Sequence, residues 1–205
     1  MLFRYSALLL LLCCAWAPVA DAGIPDPAHC TVPFRFLACP AGDVQFEVVV
    51  RDIGNFTISN IPVTLDFFAC PGVVFCGDCC PGVTIDRQAR TAMAVSDANG
   101  VAAFSLKVGG LCPGSKVRVR IWNLLLWDLG VSSPDQDGDL VVGDPDVAIV
   151  QALIGTSNAS ADFVLDGTVT EADLAWQTDL HGGHSCANVV PARTATWGSV
   201  KILYR

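Results

Sequence analysis

The sequence predicts a mainly β protein that ends in a small helical unit, and three observations carry that reading. From about Cys30 to Ser132 the apolar residues alternate or come in short β-branched blocks, with no helical period. After Asp135 the pattern changes to aspartate-rich loops, each followed by a segment with apolar residues at helical spacing. Eight cysteines lie beyond residue 22, enough to staple a modest core.

The opening, MLFRYSALLLLLCCAWAPVADAG, places one arginine before an apolar run of about a dozen residues and then the small-x-small pattern Ala20-Asp21-Ala22. This predicts a signal peptide over 1–22, cleaved before Gly23. No later stretch reaches the roughly 18 unbroken apolar residues of a spanning helix. The expectation is a secreted protein, extracellular or at the cell surface, with no membrane span after cleavage. Beyond the leader, eleven basic residues face nineteen acidic ones, a net charge of -8. Such a balance argues against nucleic acid and anionic membrane surfaces as partners.

Cys30, Cys39, Cys70, Cys76, Cys79, Cys80, Cys112 and Cys186 form an even set, which in an exported chain favours disulfides. The pairing stays open, since eight cysteines allow 105 connectivities. CGDCC, Cys76 to Cys80, could be half of a zinc or redox site. Without a second pair at zinc-ribbon spacing, the disulfide reading is the stronger.

DVQFEVVVRD, IPVTLDFFAC, RTAMAVSD, GVAAFSLKV and KVRVRIWNLLLWDLGV each read as a strand. Between the third and fourth, Asp97, Asn99 and Gly100 supply the positive-φ tolerance of a tight hairpin turn. Short strands with regular turn signals predict an antiparallel β-sandwich over 23–132. IPVTLDF, SDANGVAAFSL and KVRVRIW together resemble the bacterial immunoglobulin-like domains of surface adhesins, which implies an immunoglobulin-like sandwich. The insert FACPGVVFCGDCCPGV departs from simple members and reads as a disulfide-pinned loop.

From 133 to 186 the chain repeats itself. Asp135, Asp139 and Asp146 recur twenty-seven positions later as Asp162, Asp166 and Asp173. Calcium takes about six to eight oxygen ligands at about 2.3–2.6 Å, and a twelve-residue loop delivers them from positions 1, 3, 5, 7 and 12. In DQDGDLVVGDPD those positions are Asp135, Asp137, Asp139, the Val141 carbonyl and Asp146. In DFVLDGTVTEAD they are Asp162, Asp166, the Thr168 carbonyl and Asp173, with Val164 at position 3. Four carboxylates crowded into the first loop repel one another unless a cation lies between them. The second loop has Gly167 at position 6, where the chain turns sharply, but the first has Leu140 there. Val142 and Val169, both at position 8, are expected to pair with each other between the loops. DVAIVQALI and EADLAWQTDL are the expected helices.

Paired twelve-residue loops ending in aspartate, each followed by one short helix, resemble type I dockerin domains. The resemblance covers about Ser133 to Cys186 and implies Ca2+ at the positions named, with a two-fold-related helix pair. Dockerins bind cohesin domains through positions 10 and 11, here Asp144-Pro145 and Glu171-Ala172, which differ between the repeats. A cohesin-like or cell-surface partner and a purely intramolecular calcium-stabilised helix pair both remain open.

A glycoside hydrolase would need two carboxylates about 5–10 Å apart across a cleft. The acidic residues of the β region (Asp43, Glu47, Asp52, Asp66, Asp78, Asp86, Asp97 and Asp128) mostly fall at strand ends or turns. His181 and His184, in HGGHSC, read as a helix end tied down by Cys186 rather than as a metal pair. The tail 187–205, with Val200, Ile202 and Tyr204 alternating, is a candidate closing strand. The expected function is an exported, non-catalytic, calcium-binding structural, adhesion or assembly module. The alternatives are a true dockerin in an extracellular polysaccharide-degrading complex and a small secreted hydrolase.

Overall fold

The computed structural model describes residues 23–186 apart from 43, 78, 79 and 115. The expected leader over 1–22, Asp43, Asp78, Cys79 and the candidate strand at 187–205 lie outside the described residues.

Among the described residues, ten strands precede the acidic loops: β1 (Arg35–Leu37), β2 (Gln45–Val49), β3 (Pro62–Asp66), β4 (Val74–Phe75), β5 (Thr84–Asp86), β6 (Thr91–Val95), β7 (Val101–Ser105), β8 (Val108–Gly109), β9 (Val117–Ile121) and β10 (Leu124–Ser132). Six of them form a sheet in the order β1-β10-β9-β3-β6-β5, while β2-β7 and β4-β8 form two-stranded ribbons. The period-2 sequence pattern becomes period-2 burial. Val63 and Leu65 of β3, Ala92 and Ala94 of β6, and Val117, Val119 and Ile121 of β9 all face one core, which Val48 and Phe104 of the β2-β7 ribbon close from the other side. Ring contacts run through that core from Phe104 to Phe46, Phe36, Phe67 and Phe75, with centroids 5.2–6.2 Å apart. Each such ring stabilises the fold by about 1.5–3 kcal/mol through burial.

Three expectations are corrected. KVRVRIWNLLLWDLGV is two strands, because β9 turns back at Trp122-Asn123, pairing Ile121 with Leu124, and Trp122 adopts φ 51. The SDANG turn forms as expected, with Asp97 Oδ1 accepting from Asn99 N (2.8 Å) and Val101 N (2.9 Å) and Gly100 at φ 77. It is no hairpin, however: β6 pairs with β3 and β5, and β7 with β2, so the turn passes the chain between sheets. Pairing is also not wholly antiparallel, since β1 runs parallel to β10 through Phe36 opposite Val131.

The cysteine-rich insert is pinned as expected. Cys70 bonds Cys112, Cys76 bonds Cys186, and Cys80 is also in a disulfide. Two arginines brace it further: the exposed Arg87 donates to the Phe75 and Cys76 carbonyls (2.7 and 2.8 Å), and the half-buried Arg90 to those of Cys70 and Val73 (2.6 and 2.5 Å). The fully oxidised set is not realised, because Cys30 keeps its thiol, half-buried against the Arg51 carbonyl at 3.6 Å.

Beyond β10 come α1 (Asp144–Leu153), α2 (Glu171–Ala175) and a π-helical segment, Trp176–His181. Proline at the start of α1 fits because the first-turn N–H groups have no intrahelical partner. A second core of Val150, Ala161, Phe163 and Val169 lies between the repeats, and Leu37 of β1 packs against it. Phe163 and Trp176 stack at 5.1 Å. The described residues contain no helix long and apolar enough to cross a membrane.

Candidate metal centre

The two acidic loops share one hydrogen-bond plan. Asp146, at position 12 and 1% exposed, accepts from Gln136 N (2.6 Å), Asp137 N (3.0 Å) and Gly143 N (2.7 Å). Asp173, fully buried, accepts from Phe163 N (2.6 Å), Val164 N (2.9 Å) and Thr170 N (2.8 Å). Each carboxylate therefore holds positions 2, 3 and 9 of its own loop while sitting in the first turn of the following helix. Negative charge there is favoured by the helix dipole and by the free N–H groups of the first turn.

Position 1 anchors the turn. Asp162 accepts from Asp166 N (3.2 Å) and Gly167 N (2.9 Å), and Asp135 from Gly138 N (2.7 Å) and Leu140 N (3.0 Å). At position 5, Asp139 and Asp166 accept from the N–H two residues on, Val141 and Thr168.

The donor sets differ. Asp135, Asp137 and Asp139 bring carboxylate oxygens within 4.8 Å of one another, with Asp135 buried and the other two exposed. The second loop has Val164 at position 3, 43% exposed, leaving Asp162 and Asp166 without a third carboxylate. Asp146 and Asp173 are engaged by backbone N–H groups as described, and the segments carrying the Val141 and Thr168 carbonyls close each loop toward its helix. Three clustered carboxylates with no nitrogen or sulfur donor among them suit a hard cation that takes oxygen ligands. Burial pushes the Asp135 carboxyl above its ordinary pKa, opposed by the N–H bonds from Gly110, Gly138 and Leu140. A cation at this cluster would relieve that cost of burying a charge.

Val142 and Val169 are both fully buried but do not pair with each other. Val169 exchanges hydrogen bonds with the chain leaving α1, accepting from Gly155 N and donating to Thr156 O, both at 2.8 Å. Val142 does the same with the chain leaving the π-helical segment, at Gly183 N (2.7 Å) and His184 O (2.8 Å). Each loop is thus closed by the exit of a helix, which satisfies backbone groups that a direct Val142–Val169 pair would compete for.

Several residues that shape this region escape a reading by spacing. Gln136 Nε2 donates to Ser133 O (2.5 Å) and Ser160 O (3.0 Å), and the buried Gln177 donates to Pro134 O (2.7 Å). Gln177 occupies the repeat position of Val150, so a polar residue at an apolar position was the available signal. Gly110, just past β8, donates to Asp135 Oδ2 at 2.7 Å, and nothing in its sequence context announces it. The HGGHSC segment is a tied helix end: Gly182 caps it, Gly183 takes φ 76, and Cys186 is bonded to Cys76.

No family model matches the chain, and no curated protein or solved structure is similar to it, so the reading of this centre rests on its geometry and its sequence pattern.

Proposed function

We propose that residues 133–186 form a calcium-binding, dockerin-like unit and that the protein is an exported, non-catalytic structural or assembly module, its β region an immunoglobulin-like sandwich. The observation that carries this reading is the shared hydrogen-bond plan of the two loops, combined with the carboxylate group Asp135-Asp137-Asp139 at positions 1, 3 and 5. Calcium fits the all-oxygen donor set, and its occupancy would order the loops and the helices they cap. Export is supported by the disulfides.

A non-catalytic role is supported by how five carboxylates of the β region are used. Asp52, Asp86 and Asp97 accept turn N–H groups, Asp66 accepts from Phe68 N while its other oxygen faces Arg120, and Asp128 faces Arg118.

The test is calcium titration calorimetry on the oxidised, chelator-stripped chain, beside Asp137→Asn. Saturable binding that raises the melting temperature, as ligand linkage requires, and that weakens in the variant is the expected result. Absence of binding at millimolar calcium would leave the aspartates as acceptors that shape two turns and overturn the reading.

A further inference from the structure

The first loop is not built from its own repeat alone. Its anchor Asp135 takes a third N–H bond from Gly110 of the β region. Cys186 N donates to the carbonyl of Leu140, at position 6, at 2.9 Å, and Ser185 bridges Val141, at position 7. Val142, at position 8, pairs with Gly183 and His184. Residues 183–186 therefore lie as a strap along positions 6 to 8, and Cys76 of the pinned insert holds the strap's end through the disulfide to Cys186. The contact is close: a Cβ added at Gly109 would meet Cys186 Sγ and Leu140 Cδ2, each at 3.3 Å.

The second loop touches the β region differently: Ser132 Oγ of β10 donates to the Asp162 carbonyl (3.4 Å) and Leu37 of β1 packs against the core around Phe163, but among the described residues no N–H from the β region reaches its position-1 carboxylate and no strap lies along its positions 6 to 8. Asp162 is held by Asp166 and Gly167 of its own loop, and Val169 by Gly155 and Thr156 of the neighbouring repeat. All of those partners lie within 133–186.

We propose that the Cys76–Cys186 strap and the Gly110 N–H are positioning elements of the first loop, so that the integrity of this disulfide and cation occupancy of the Asp135-Asp137-Asp139 group are linked, while the second loop is independent of both. The linkage rests on the calcium reading above; the positioning itself does not. Because Asp135 carries two oxygens fixed by three N–H donors, one of them from outside the repeat, releasing the strap frees the loop to lose the arrangement that brings its carboxylates together. Linkage is reciprocal, so whatever affinity the disulfide adds for the ion, the ion adds in resistance of that disulfide to opening.

Three measurements on the full oxidised chain test this. In Cys76→Ser/Cys186→Ser, calcium titration should show one site weakened by roughly tenfold, within the usual range of coupling between sites. Unchanged affinities overturn the linkage. In the wild-type chain, which asks nothing of a variant's folding, opening of each disulfide by dithiothreitol is followed by alkylation and mass spectrometry. The reagent's two thiols close into a disulfide as Cys76 and Cys186 each gain a hydrogen. At equilibrium with mixed reduced and oxidised dithiothreitol, calcium should shift the reduction constant of Cys76–Cys186 toward the disulfide by a similar factor and leave that of Cys70–Cys112 unaffected. Equal effects on both bonds, or none, overturn the proposal.

The third readout needs no metal. With chelator present, the amides of Gly138 and Leu140, which donate to Asp135, should exchange faster in the double variant, and those of Asp166 and Gly167 should not. A wild-type chain that takes up no calcium but shows this exchange pattern sinks the calcium reading and keeps the strap as a positioning element. A variant with no difference in exchange sinks the strap itself.

Discussion

The first loop has glycine at position 4 and leucine at position 6, and the second has the reverse, yet Gly138, Leu140, Leu165 and Gly167 all take positive φ, at 78, 74, 62 and 93. A leucine in this region costs about 1–2 kcal/mol, so each loop bears one such cost at a different place. What fixes the turn is therefore the set of N–H bonds to the position-1 and position-12 carboxylates, and glycine only lowers its cost. The loops diverge in what lies outside them. The first has the fuller carboxylate set and takes a β-region N–H on its position-1 carboxylate, whereas the second lacks a carboxylate at position 3 and has its position-1 carboxylate and position-8 backbone held from within residues 133–186.

If the shared plan is what holds both loops, its largest test is removal of the position-12 carboxylates. Asp146→Ala and Asp173→Ala each leave three backbone N–H groups without their acceptor, and each should cost about 3 kcal/mol or more in denaturant unfolding of the chelated protein. Similar costs would sharpen the parallel, and a tolerated change in one loop would break it. The next effect tests the difference in ligands. Val164→Asp supplies the missing carboxylate at an exposed position, and calorimetry should show the second site tightening by roughly tenfold, since affinity follows the number of charged ligands. No change would mean that loop 2 fails for a reason other than position 3. The smallest effect concerns the turn residues. Leu165→Gly should stabilise by up to about 1 kcal/mol after the entropy cost of glycine in the unfolded chain. Leu140→Gly should gain less, because Leu140 Cδ2 packs against the Gly109-Gly110 backbone. Thermal melts of the two variants side by side decide that order.

The loops were legible because aspartates at fixed spacing, repeated at one interval, have few other physical explanations. The inward faces of β2, β3, β6, β7 and β9 were legible because a half-buried strand writes its geometry into alternation. The β9-β10 turn was hidden because Trp122 fills a positive-φ place normally marked by glycine or asparagine. The SDANG turn was recognised, but its chemistry is local, and sheet membership depends on the long-range pairing of β7 with β2. Likewise no local signal separates Cys186 from the other cysteines as the partner of Cys76, 110 residues away. At that separation the bond restrains the unfolded chain by about 4–5 kcal/mol on chain-entropy grounds.

The π-helical segment keeps two helix exits of unequal spacing in the same geometry. The loops match at an interval of twenty-seven residues, but the helix exits match at twenty-eight: Ile154, at φ -55 and ψ 133, corresponds to Gly182, at φ -57 and ψ 133, and Gly155 to Gly183. The wider turn of Trp176–His181 takes up the one extra residue, so that both exits still reach their valines, Gly155 at Val169 and Gly183 at Val142.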